Sequence, residues 1–172
     1  MKRALTIVFA FGFLMVMWWA GEQPKRGQRI EAQAAGILEV PIGVLTRIAV
    51  KHHARHHELV FSDGSWMLPD RHEAAGKELL GTALQFLNTA NPVRRIANAS
   101  LTRASIDEMR FLETDLSIEL GYNHHDKILI EIGGQNLDGA LTYVRTWPSG
   151  DVYLLPEFFI DQWQAVVAHL PE

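Results

Sequence analysis

The chain has 172 residues, with 16 Lys and Arg against 20 Asp and Glu, eight His and no Cys, and 48% of its residues are hydrophobic. This length and composition fit one domain, and they exclude a disordered chain and a membrane protein with several spans. The net charge of -4 argues against nucleic-acid binding, which usually needs a basic face. Without Cys, the chain has no disulfides, no thiolate metal ligands and no cysteine nucleophile.

An uncharged, apolar run occupies residues 4–21 (ALTIVFAFGFLMVMWWAG). As a helix this run is about 27 Å long, enough to cross a hydrocarbon core, and Trp18 and Trp19 are residues typical of a membrane interface. We interpret residues 1–21 as an uncleaved signal-anchor. The alternatives are a cleaved signal peptide, although no small-x-small cleavage site ends the run, and a buried helix of a soluble protein.

The anchor predicts where the rest of the chain lies. Basic residues flank the run almost equally on both sides, so the positive-inside rule decides little. The very short segment before the run favours a single-pass protein of the inner (cytoplasmic) membrane with its C-terminal domain in the periplasm. Residues 22–35 (EQPKRGQRIEAQAA) are polar without hydrophobic periodicity and predict a tether. Residues 36–172 carry 11 basic and 18 acidic side chains, a balance that disfavours binding to lipid headgroups.

Residues 36–172 are predicted to form one small α+β domain of antiparallel strands and two main amphipathic helices. Apolar alternation and polar turns predict strands at 45–50, 58–62, 65–68, 92–99, 116–120, 127–132, 140–147 and 152–155. The main helices are predicted at 70–90, with a capping box beginning at Asp70, and at 157–170. A short helix capped by Ser105 is predicted at 105–112.

Two similar segments lead into the main helices, GSWMLPD at 64–70 and GDVYLLPE at 150–157. They indicate either a duplicated hairpin–helix unit or a chance likeness, because strand, turn and helix often follow one another.

Three aromatic residues and two glycines carry further structural expectations. Trp66, Trp147 and Trp163 are expected to fill the core between the sheet and the helices. Gly133 and Gly134 are expected to form a turn, since they follow a strand without opening a helix at phosphate-binding spacing.

Several segments together carry a resemblance to a known family. They are LTRIAV at 45–50, ELVF at 58–61 and GSWML at 64–68, followed in the second half by 116–120, 128–134, 139–145 and 151–156. In this order they resemble a bacterial family of unknown function found in membrane-anchored proteins, some encoded beside ABC-transporter components and described as gliding-motility auxiliary proteins. The resemblance covers about residues 37–170. It implies an extracytoplasmic α+β domain on one membrane anchor, and no known catalytic residues.

Histidines are concentrated in two segments, KHHARHH and NHHD, both expected at hairpin tips between strands. Neutral imidazole is a common ligand of Zn, Cu and Ni. We expect His53 and His56 to come side by side, with Asp126 or Glu58 completing a metal site. The alternatives are a solvated turn and nonspecific metal capture, because Arg55 places a cation inside the first segment. The candidate metal ligands are His52, His53, His56, His57, His124 and His125.

The chain lacks the motifs of phosphate-binding loops, zinc proteases, serine-hydrolase elbows and dinucleotide sites. We therefore expect a non-catalytic, membrane-anchored periplasmic accessory or assembly protein. Its membrane contact is residues 4–21, its partner is a protein in a membrane or periplasmic complex, and it binds no nucleic acid. The alternatives are a periplasmic metal-handling protein that uses the His-rich tips, and an enzyme with an unrecognised site.

Overall fold

The architecture is one antiparallel sheet of eight strands with three helices. The computed structural model describes residues 36–53, 55–69, 77–111, 116–123 and 125–170. The strands are β1 Leu45–His52, β2 Arg55–Ser62, β3 Ser65–Met67, β4 Arg94–Ile96, β5 Leu116–Tyr122, β6 Asp126–Gln135, β7 Leu141–Trp147 and β8 Val152–Pro156. The helices are α1 Lys77–Thr89, α2 Arg103–Glu108 and α3 Phe158–His169, with 3-10 turns at Ile42–Val44 and Asn98–Ser100. The predicted mixed α+β class is confirmed.

The strand order is β3-β2-β1-β5-β6-β7-β8-β4, and all neighbours are antiparallel. A three-stranded meander followed by a helix occurs twice, as β1–β3 with α1 and as β6–β8 with α3. The β2–β3 hairpin closes through Asp63 and Gly64, with φ of 52° and 79°. Positive φ at both central residues is what a two-residue turn of type I′ requires, which explains why Asp-Gly stands there.

The core lies between one face of the sheet and the helices α1 and α3. The most deeply buried helical side chains are Leu80, Ala83, Leu84, Leu87, Phe159, Trp163, Val166 and Val167. They meet alternate strand residues such as Ile48, Leu59, Ile118, Leu120 and Ile130. Because side chains alternate across a strand, this face fixes the register of the whole sheet.

A smaller apolar cluster covers part of the opposite face. Met109, Phe111 and Val152 form its buried centre, with Ile96 and Ile106 packed against it. These residues bring α2 and the segment after it over the C-terminal strands. The remainder of this face, on β2, β1, β5 and part of β6, carries polar side chains and is called the open face below.

Three local expectations are wrong. Ser105 is not the N-cap of α2: Thr102 is, accepting from the Ser105 backbone N–H, while the Ser105 side chain accepts from the Thr102 backbone N–H. Gly133 and Gly134 lie inside β6 rather than in a turn, because the chain after α2 crosses this strand and the Gly134 N–H donates to Met109 O (2.8 Å). The strand predicted at 92–99 is limited to β4, since a 3-10 turn begins at Asn98.

Trp147 is also misplaced by the sequence prediction. Trp163 is fully buried and Trp66 packs against the core, as expected. Trp147 is 38% exposed, because it follows Thr146, whose side chain faces the helices, and therefore points to the opposite face.

The chain enters the domain through a strap at residues 36–38. Ile37 and Leu38 are buried, and their backbone N–H groups both donate to Leu87 O in the last turn of α1, at 2.9 and 3.3 Å. A Cβ on Gly36 would collide with the same carbonyl oxygen. The strap thus satisfies a carbonyl that a helix end otherwise leaves without a partner.

The predicted anchor 1–21, the predicted tether 22–35 and the capping box at Asp70 lie outside the described residues. Within the described ranges, none of the helices has both the length and the apolar character needed to cross a membrane.

Candidate functional site

The first His segment forms the tight tip of the β1–β2 hairpin. His52 ends β1, and His53 lies in the turn with φ of 53°. The expectation that all four imidazoles lie at a tip is wrong in part, because His56 and His57 already belong to β2.

Strand register separates His56 from His57. His56 is paired with Lys51 and is exposed, whereas His57 is paired with Val50 and is buried. Neighbouring residues of a strand point to opposite faces. His56 therefore belongs to the open face and His57 to the core side, so these two imidazoles do not converge.

His57 is a buried imidazole that carries no hydrogen bond on Nε2 to any described residue. Burial lowers its pKa below the usual histidine value, and the positive charge of Arg55 and the neighbouring His56 lower the pKa further. The neutral form of His57 is therefore favoured. Its side chain lies on the core side of β2, where an apolar residue would be expected.

The second His segment lies at the opposite end of the sheet. β5 pairs Leu116 with His52 and Tyr122 with Leu45, so the β5–β6 turn that carries His125 is one strand length, about 20 Å, from the β1–β2 tip. Asp126 begins β6 at that far end. The prediction that Asp126 completes a metal site with His53 and His56 is therefore wrong. His124 lies outside the described residues.

No group of three or more metal-ligating side chains converges among the described residues. His52 and His53 are nevertheless in contact, with ring centroids 4.1 Å apart and ring planes at 44°. They line a cavity of about 290 Å³ between the hairpin tip and α3, together with Arg55, Gln164, Val167 and Ala168.

The open face carries a row of ion pairs across four neighbouring strands. Arg47 on β1 contacts Glu58 on β2 (3.4 Å) and Glu119 on β5 (2.6 Å). Lys127 on β6 contacts the other oxygen of Glu119 at 3.0 Å. Half-exposed pairs of this kind contribute about 0–1 kcal/mol each, so the row fixes side-chain positions more than it stabilises the fold.

A second polar group borders the open face. Glu131 accepts from Arg145 Nε and from Trp147 Nε1, both at 2.7 Å. The Arg145 guanidinium lies 4.4 Å from the Phe111 ring centroid and 5.1 Å from that of Trp147. Through the contact of Arg145 with Phe111, these residues join the border of the open face to the chain segment after α2.

A shallow cavity of about 530 Å³ lies at the end of the open face. It is lined by Thr46, Arg47, Gly121, Asn123, His125, Asp126 and Lys127. Its two cations, Arg47 and Lys127, are bound to the same carboxylate. The cavity therefore offers mixed, largely compensated charge rather than a strongly charged binding site.

Sequence reasoning missed the ion-pair row. Its signal was a pair of charges four residues apart in one strand, which places them on the same face, as in Arg47 and Lys51 or in Lys127 and Glu131. The pairing of β1 with β5 joins residues more than 70 positions apart, and no local pattern predicts that pairing.

The chain matches no protein-family model, no curated protein and no solved structure.

Proposed function

We propose that the chain is a non-catalytic accessory or assembly protein of the inner membrane, anchored by residues 4–21, whose periplasmic domain docks on a protein of a membrane or periplasmic complex. The open face carries this proposal. It is a sheet surface whose paired charges alternate in sign from strand to strand, and such a polar surface suits a protein partner, whereas small molecules favour concave, mostly apolar sites.

The charges on the open face define the partner's chemistry. Arg47, Glu58, Glu119 and Lys127 are already compensated among themselves, so a strongly charged ligand gains little there. A protein surface with polar groups of both signs can exchange ion pairs with the row and cover the exposed edge of Trp147.

Two further parts of the proposal concern the family and the origin of the domain. The resemblance to membrane-anchored auxiliary proteins agrees with an accessory function. The repeated meander and helix, together with the packing of α1 against α3, supports an origin by duplication of a hairpin–helix unit.

The anchor is tested by deletion. In cells lacking the native protein, we compare the full chain with a chain in which a cleavable secretion signal replaces residues 1–21. We expect the full chain to stay in membranes after carbonate washing, with its domain accessible to protease from the periplasm. The secreted domain should accumulate in folded form without restoring the deletion phenotype. Full restoration by the secreted domain would contradict the anchored function.

The open face is tested with a matched pair of substitutions. Ser117→Arg places a bulky cation in the middle of the open face, and Thr82→Arg places the same side chain on the exposed side of α1. We expect loss of the complementing activity and of the crosslink to the partner for Ser117→Arg only, with equal thermal unfolding for both variants. Equal activity of the two variants would show that the partner binds elsewhere.

A further inference from the structure

Among the described candidate imidazoles, the fold brings one pair together. His57 is buried on the core side, His56 is exposed on the open face, and His125 lies at the far end of the sheet. Among the described histidines, only His52 and His53 have their rings in contact. The sequence analysis expected His53 beside His56, whereas the structure places the His53 ring against His52 and pairs His56 with Lys51.

The ring geometry of this pair is close to that of a shared metal ion. Two imidazole nitrogens that bind one ion at about 2.0 Å place their ring centroids about 4.5–5 Å apart. The observed separation is 4.1 Å. The two rings are therefore slightly closer together than rings that share an ion, and the adjoining cavity of about 290 Å³ has room for an ion with water ligands once the rings move apart.

The charges around the cavity act in both directions. Val167 and Ala168 belong to the last turn of α3, which ends at His169. The carbonyl end of a helix carries partial negative charge and favours a cation. Arg55 also lines the cavity and is positively charged, so the site favours an ion with a high affinity for imidazole.

We propose that His52 and His53 bind one Cu(II) ion at the β1–β2 tip, with water completing its coordination. Cu(II) has the highest affinity of the divalent first-row metals for nitrogen ligands and accepts a tetragonal set of nitrogen and oxygen atoms. Zn(II) sites use three or four protein ligands, which the described residues do not bring together. This site is independent of the proposed docking function.

The test titrates Cu(II) into the full-length chain in mild detergent, without a polyhistidine tag. Binding is followed by calorimetry and by the nitrogen hyperfine pattern in electron paramagnetic resonance. The test variants are His53→Asn, whose new side chain tolerates the positive φ of this turn, and His52→Gln. The matched controls are His56→Asn in the same hairpin and His125→Asn at the other end of the sheet.

We expect one Cu(II) per chain with two nitrogen ligands, lost in His53→Asn and in His52→Gln and retained in both controls. Circular dichroism of each variant shows whether the fold is kept, and the exposed turn position of His53 makes its variant the decisive one. The site is refuted if the native chain binds no stoichiometric Cu(II), if His53→Asn binds as the native chain does, or if His56→Asn loses the ion equally.

Discussion

At the scale of single residues, the charge of Asp151 holds two distant segments together. Its carboxylate is almost buried and accepts from the Asn98 backbone N–H (2.8 Å) and from Arg95 Nε (2.9 Å). The Asn98 N–H bond first, and then Arg95, lower the pKa of Asp151 below the usual aspartate value. The charged form is therefore preferred in the folded state, and it ties β4 and the turn after it to the β7–β8 hairpin.

We predict that Asp151→Asn lowers the free energy of unfolding at pH 7 by about 1.5–3 kcal/mol, the range for hydrogen bonds to a charged group. The native contribution of Asp151 is present above its unfolded pKa near 4 and is lost as pH falls through the lower folded value. Urea unfolding should show the native chain losing its advantage over Asp151→Asn as pH falls below about 4. Asp138→Asn, at an exposed turn, is the control and should leave the urea midpoint at pH 7 unchanged.

At the scale of elements, the contact between β6 and the chain after α2 explains the second apolar cluster. A Cβ on Gly133 would lie 2.5 Å from Met109 O and 3.0 Å from the Phe111 ring. The strand needs glycine here because another backbone crosses it at close range. That crossing buries Met109 and Phe111 and places the Phe111 ring on Arg145.

We predict that Gly133→Ala destabilises the domain, because neither the carbonyl nor the ring can move away without opening the cluster. Typical overpacking costs are about 1–3 kcal/mol. Gly81→Ala is the control. Gly81 lies on the exposed side of α1, and its new Cβ would meet nothing within 4 Å. Better helix propensity should therefore raise the free energy of unfolding by about 1 kcal/mol. Thermal unfolding of both variants measures the difference, and a neutral Gly133→Ala would contradict the close crossing.

At the scale of the whole molecule, the strap at residues 36–38 extends the core beyond the sheet and the helices. Ile37 and Leu38 belong to the same core cluster as α1 and α3. The strap is therefore part of the folded core, and its loss should weaken the packing of α1.

We predict that a chain from residue 36 onward unfolds cooperatively, and that a chain from residue 41 onward is less stable by about 3 kcal/mol or more. The estimate follows from losing the burial of the Ile37 and Leu38 side chains, at about 1.5–3 kcal/mol each. Glu39→Ala in the longer chain is the control, since Glu39 is exposed. Equal denaturant midpoints for the two chains would show that the strap adds nothing to the core.

Much of the fold was predictable because its signals are local. Alternating apolar residues identified the strands that became β1, β2 and β5–β8, and Asp63-Gly64 identified the hairpin turn. The errors fall where a distant segment overrides the local pattern. Gly133 lies in a strand because another backbone crosses that strand. Trp147 lies outside the main core because the helices cover the other face of β7.

The candidate sites were less predictable than the fold. Composition identified the histidines, but only the register of β1 with β2 separates His56 from His57, and only the course of β5 places His125 at the other end of the sheet. The row formed by Arg47, Glu58, Glu119 and Lys127 depends on the same long-range pairing.

By itself, the sequence determined the α+β class, most of the strands and helices, and the types of side chain available for binding. These properties follow from periodicity and turn chemistry over a few neighbouring residues. Tertiary structure alone decided the strand order, the face that stays open and the pairing of charges across it. The physical reason is that burial of one sheet face fixes the register, and the register brings together side chains far apart in the chain.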